Sequence, residues 1–151
     1  CEHAVFERGA GATENSIIGT EKSMVIENNY GYAPPPGATS NGGTTEPRVV
    51  RVDIKKSGRG CRTVWNSQEI SPSTVPKLSL ATGLIYLYTK PPGTPDKWYV
   101  TAVDFRTGKT VWSRLIGTGL FFNVHYAGIT IAPTGVLYAG VLGGTMALTD
   151  G

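Results

Sequence analysis

Few residues of this chain combine a chemically useful type with a useful neighbour. Glu14 precedes Asn15, and Asn123 stands two residues before His125, which is followed by Tyr126. A carboxylate, an imidazole and amide oxygens brought to one place could hold Ca2+ or another divalent cation, or polarise a bound carbonyl. A second group, Glu27-Asn28-Asn29 before Tyr30, offers the oxygen donors that a hard cation takes. The same residue types also close turns through side-chain-to-backbone hydrogen bonds, and a histidine beside a tyrosine is equally a packed loop residue. That structural role is the preferred reading of both groups. No nucleophile elbow, phosphate-cradling glycine loop, His-Glu helix motif or Cys-x-x-Cys pair is present in the sequence.

The elements that must position these residues are strands. Within 151 residues, no window of a dozen shows helical periodicity, and Val, Ile, Thr, Tyr and Trp dominate the ordered-looking runs. Hydrophobic residues make up 40% of the chain and charged ones 17%, enough apolar material for a core, so global disorder is excluded. The net charge of +3 comes from basic residues scattered singly or in pairs, without the dense stripe that nucleic acid requires. No run approaches the ~18 apolar residues of a membrane span. No signal peptide is visible, so any such segment is expected to have been removed or to lie outside this sequence.

The clearest local signal is TAVDFRTGKTVW, residues 101–112. Two β-favouring arms flank the turn Arg106-Thr107-Gly108-Lys109, where Gly108 supplies the positive φ of a tight hairpin. The pattern recurs in RVDIKKSGRGCRTVW at 51–65, and a third, partial copy lies in MALTDG at 146–151. Asp53, Asp104 and Asp150 recur at its turn and are read as turn formers. Upstream of each copy stands another strand pair, at 16–29, 77–89 and 128–141. Ser23, Gly83 and Gly135 align at their turns, and Ile26, Tyr86 and Tyr138 align in their second strands. The unit is therefore four strands, and HAVFER at 3–8 reads as an outgoing fourth strand, with Phe6 standing where Trp65 and Trp112 stand. Tandem four-stranded sheets of roughly 50 residues are the signature of β-propeller blades.

The expected fold is all-β, with about three blades of four antiparallel strands. They are an outgoing strand 3–8, a blade 15–67, a blade 76–115 and an incomplete blade 127–151. An insertion at 33–47, with four prolines and three glycines, interrupts the first blade and reads as a surface loop with room to move. The tryptophans supply plates between neighbouring blades. On this alignment Glu14, Thr74 and His125 are equivalent, each four residues ahead of Ile18, Leu78 and Ile129, on loops entering the innermost strand.

Ala102-Val103-Asp104, Thr107-Gly108-Lys109 and Trp112 resemble the PQQ-like repeat of quinoprotein-type β-propellers. As a periodic pattern the resemblance spans the chain, but it is close only at 101–112. It implies a propeller fold and is nearly silent about function, since such propellers include dehydrogenases, scaffolds and binding modules. The adjacent Cys-Cys pair that the resemblance would require of a quinone enzyme is lacking, because Cys1 and Cys61 are isolated, and a ring of about eight blades exceeds the three present. Three blades do not close. If each end face would bury ~500 Å² of apolar surface, about 12 kcal/mol per face goes unrealised. The expected partners are thus remaining blades, or a second copy joining in a six-bladed ring.

Cys1 and Cys61 would occupy similar places in different blades, farther apart than the ~7 Å a bridge allows. The reading ranks unpaired or differently paired cysteines ahead of a mutual disulfide, and a lipid-bearing Cys1 after both. Function is read as a non-enzymatic binding or scaffold propeller of the cell envelope or exterior. The alternative is a metal-dependent hydrolase of lactonase type using Glu14, Glu27, Asn28 and His125 at the axis, with a quinone-dependent oxidoreductase third.

Overall fold

A computed structural model describes residues 1–14, 17–33, 37 and 39–149. Among the described residues the sequence alternation builds eleven strands in three antiparallel sheets, each a simple meander. Sheet 1 runs β1 (Ile17–Gly19), β2 (Ser23–Glu27), β3 (Val49–Ile54) and β4 (Cys61–Ser67). Sheet 2 runs β5 (Lys77–Ser79), β6 (Leu84–Thr89), β7 (Lys97–Asp104) and β8 (Thr110–Thr118). Sheet 3 holds β9 (Ile129–Ile131), β10 (Leu137–Val141) and β11 (Gly144–Leu148). Among the described residues the only helical piece is a single 3-10 turn, Leu120–Phe122, and no helix is long and apolar enough to cross a membrane.

The sheets stack in chain order because each strand buries alternate residues on two sides. Val25, Val49 and Trp65 of sheet 1 meet Ile85, Leu87 and Val103 of sheet 2. On its other face, sheet 2 places Tyr88, Trp98 and Val100 against Ile129, Leu137, Ala139 and Met146 of sheet 3. The two tryptophan plates take equivalent positions. Across sheet 1 the row is Val25–Arg51–Trp65, and across sheet 2 it is Tyr86–Ala102–Trp112. These rows correct the expected register by one residue in the first unit, since Val25 rather than Ile26 matches Tyr86. A one-residue slip turns every side chain to the opposite face. Tyr138 does hold the matching place in sheet 3, paired with Thr130 and Ala147.

A further repeat was not visible as such in the sequence. The β3–β4 pairing jumps from Val52↔Thr63 to Arg51↔Trp65, and the β7–β8 pairing jumps from Val103↔Thr110 to Ala102↔Trp112. Val64 and Val111 are thus bulged at the same point, one residue before each plate. A bulge re-aims the side chains beside it, and here it falls where the tryptophan must turn into the neighbouring sheet.

The turn at 104–109 forms as its residue types require. Gly108 has φ +73°, and the Asp104 carboxylate accepts from both the backbone N–H and the hydroxyl of Thr107, at 2.7 and 2.9 Å. Those two bonds hold the Asp104 carboxyl below the usual carboxylate range. Asp53 does not repeat this role. The six-residue loop between β3 and β4 moves it away from the turn, and its oxygens accept from Arg51 Nε and Nη2 at 2.8 and 2.9 Å. Burial raises the Asp53 carboxyl, but the Arg51 and Ser23 hydrogen bonds outweigh it and leave it low. Asp150 lies outside the described residues.

The N-terminal segment departs furthest from expectation. Residues 3–8 form no strand, yet Val5 and Phe6 pack on Val50, Val52 and Cys61, the face of sheet 1 turned away from sheet 2. Phe6 thereby serves sheet 1 as Trp65 serves sheet 2, as a plate without a strand behind it. Cys1 and Cys61 form a disulfide with their Cα atoms 5.9 Å apart, which corrects the preference for unpaired cysteines. The segment folds back across β4 instead of extending along a neighbouring sheet, and His3 Nε2 meets Thr63 Oγ1 at 2.9 Å. The bridge closes a long loop, 60 residues apart in sequence, so reduction or Cys1→Ser is expected to remove about 2–4 kcal/mol. Urea unfolding with and without a dithiol reductant measures this; coincident transitions would contradict it.

Candidate functional site

Antiparallel alternation brings four connecting segments to the same end of the sheets: 28–48, 68–76, 90–96 and 119–128. Their contacts with one another build the candidate site.

The first connection leaves β2 through Glu27-Asn28-Asn29. Asn28 and Asn29 are both buried. Asn28 Oδ1 accepts from the backbone N–H of Ala12 and of Tyr30, both at 3.1 Å, while its Nδ2 donates to Ala10 O at 2.9 Å. Asn29 Oδ1 accepts from the Glu14 N–H at 3.1 Å, and its Nδ2 donates to Pro72 O at 3.0 Å. Glu27 is wholly buried, and its carbonyl accepts from Thr13 Oγ1 at 3.1 Å. These three residues therefore staple the N-terminal segment and the 68–76 connection to sheet 1. The amide oxygens of Asn28 and Asn29, expected to face a cation, accept backbone N–H groups.

The other expected group does come together, through two tyrosines that sequence reasoning left out of it. Tyr126 donates to Glu14 Oε2 at 2.6 Å, and the Tyr32 hydroxyl lies 2.7 Å from His125 Nδ1. The Tyr32 and Tyr126 rings meet edge to face with centroids 4.9 Å apart, and the His125 ring lies 5.0 Å from that of Tyr126. Burial, partly offset by Ser73 and Asn123 and reinforced by the Glu14 charge, raises the Tyr32 phenol. Burial, then the Glu14 contact, raises Tyr126 strongly. Both phenols therefore keep their protons at neutral pH. Beneath the cluster, buried Asn123 accepts from the His125 N–H at 2.9 Å and donates to Thr39 Oγ1 at 3.0 Å.

His125 and Tyr126 have φ of +38° and +67°, a left-handed backbone that non-glycine residues seldom adopt and that often marks functional loops. Glu14 and His125 are exposed, Thr74 is wholly buried, and Asn15 lies outside the described residues. Among the described residues no group of three or more His, Cys, Asp or Glu is placed to hold a metal ion.

In the described part of the Pro/Gly insertion, residues 39–44 act as a brace. Asp96 accepts from the backbone N–H of Asn41 and Gly42 at 2.9 and 2.8 Å. Lys90, wholly buried, donates to Gly43 O at 2.6 Å and pairs with Asp96 at 2.9 Å. Thr44 Oγ1 donates to Lys90 O at 2.7 Å. Because Thr39 also meets Asn123, the insertion joins the connections of all three sheets. A lysine before Pro91-Pro92 with an aspartate six residues on was the available signal, but no spacing rule points from it to residues 41–44.

No family model matches the chain. Over 102 residues, 68% of its length, it is 33% identical to a protein of Archaeoglobus fulgidus described as uncharacterized. The match spans about a fifth of that protein, 20% of its length.

Proposed function

We infer that this chain is a portion of a PQQ-like-repeat β-propeller of the cell envelope or exterior, acting as a non-enzymatic binding or scaffold module. The single observation that carries the functional reading is the meeting of Glu14 and His125, from segments entering β1 and β9, on one partly exposed tyrosine cluster. Loops at one end of a ring of sheets are where such modules take ligands. The plates and the repeated bulges support reading the sheets as blades. Apolar side chains also stand open on the two end faces, with Ile17 51% and Met24 39% exposed on sheet 1 and Tyr138 40% exposed on sheet 3. Remaining blades or a second copy would cover them. The disulfide supports an oxidising compartment.

The test sets binding against catalysis. In an NMR screen of small fragments, shifts are expected to cluster at Tyr32, His125 and Tyr126, with no calcium-activated hydrolysis of lactones. Lactone turnover that depends on calcium and is lost in His125→Ala would overturn the reading.

A further inference from the structure

A second concavity lies away from the tyrosine cluster, and both its walls belong to this chain. It is a groove of about 230 Å3 between the segment leaving β4 and one face of sheet 2. Gln68, Glu69 and Ile70 form one wall, and Thr89, Tyr99 and Ser113 form the other. The first wall is fixed, because Glu69 O accepts from the Arg48 N–H at 3.1 Å and Ile70 O from the Lys90 N–H at 3.0 Å.

Its polar groups are arranged unusually. Thr89 Oγ1 lies 2.7 Å from Thr101 Oγ1, which lies 2.9 Å from Ser113 Oγ. The two threonines are buried and Ser113 is exposed, and Thr89 and Ser113 both line the groove, so a ladder of three hydroxyls runs along this wall from a buried end to an exposed one. Three hydroxyls carry three protons and make two bonds with one another, so the chain can point either way. At Ser113 it offers a ligand either a donor or an acceptor. Beside it stand the Glu69 carboxylate, steadied by the Thr110 hydroxyl, the exposed Gln68 amide and the Tyr99 ring. No lysine or arginine lines the groove, which disfavours an anion.

We propose that this groove binds a neutral polyhydroxylated ligand, a single sugar ring of an oligosaccharide or glycan. A sugar hydroxyl donates and accepts at once and so matches a ladder of either polarity. The carboxylate accepts from ligand hydroxyls, the amide does both, and the Tyr99 ring with Ile70 offers an apolar surface to the C–H face of the ring. The site does not depend on ring closure or on the tyrosine cluster.

Amide NMR titration of the disulfide-intact protein with D-glucose, D-galactose and D-mannose tests it. Saturable shifts are expected for at least one sugar at Gln68, Glu69, Tyr99 and Ser113, with Kd on the order of 1–10 mM. Glu69→Gln and Tyr99→Ala are each expected to weaken binding about fivefold or more, and the exposed Gln68→Ala keeps the test interpretable should Tyr99→Ala fail to fold. Absence of saturable shifts with all three sugars would overturn the proposal. So would binding confined to Tyr32 and His125, or a response at the groove to tetramethylammonium chloride alone.

Discussion

Replacing Trp65 with alanine is expected to cost about 3–5 kcal/mol, the range for removing a large buried aromatic. The indole is 8% exposed and fills the interface between sheets 1 and 2, where its Nε1–H donates to Phe105 O at 2.8 Å. Arg51 reaches the same carbonyl at 2.9 Å and lies 3.9 Å over the Phe105 ring, so the carbonyl keeps one partner and the loss is chiefly of packing. The same interface can be attacked from its other side. A Cβ at Gly108 would stand 2.6 Å from Trp65 Cδ2, and the positive φ there adds about 1–2 kcal/mol against any L side chain. Gly108→Ala is therefore expected to destabilise although it adds one methyl group at a turn. Urea denaturation measures both; a midpoint unchanged for Trp65→Ala would mean that the sheets do not depend on the plate.

Asp96→Ala is expected to cost as much, about 3–5 kcal/mol, because it leaves Lys90 buried without its ion-pair partner. It also removes the acceptor for Asn41 and Gly42, so the insertion loses its anchorage. The double variant Lys90→Met, Asp96→Ala is expected to recover part of the loss, since a buried apolar chain needs no partner. Equal destabilisation by the single and double variants would contradict this account. The pair also sets a pH dependence. Burial raises the Asp96 carboxyl, but the Lys90 hydrogen bond and the Gly42 N–H outweigh it and leave it below its ordinary value of 3.8. A carboxyl lowered by folding contributes stability that is fully present well above 3.8. That stability is lost as pH falls through the ordinary value toward the lower folded one. Wild-type stability is therefore expected to drop on acidification below about pH 4 more steeply than that of the double variant.

The parts of this fold legible in the sequence are those that depend on neighbours along the chain. The 104–109 turn follows from an aspartate, a threonine and a glycine within five residues, and strand alternation follows from side chains pointing to opposite faces. What Gly108 must avoid was not legible, because Trp65 approaches it from another sheet. Cys1 was misplaced because the repeat suggested a strand at 3–8, whereas the segment takes over the plate role of that strand through Phe6 alone and folds back onto β4. In the candidate site, Glu14 and His125 were found by equivalence between units. Tyr32 and Tyr126, which hold them together, lie 94 residues apart and share no repeat position. The Glu27-Asn28-Asn29 run has the composition of a cation site, and the bonding of the buried Asn28 and Asn29 amides to the backbone of distant segments was not legible from it.

The central claim is that these sheets are neighbouring blades around an axis lined by β1, β5 and β9. A crystal structure of the protein from its complete reading frame, or of its assembled oligomer, tests it most directly. The account expects further four-stranded sheets over Ile17 and Met24 at one end and over Tyr138 at the other, closing a ring with the Tyr32–Tyr126 cluster at its mouth. Both end faces left in solvent, or covered by a single sheet packed as a two-layer sandwich, would contradict it.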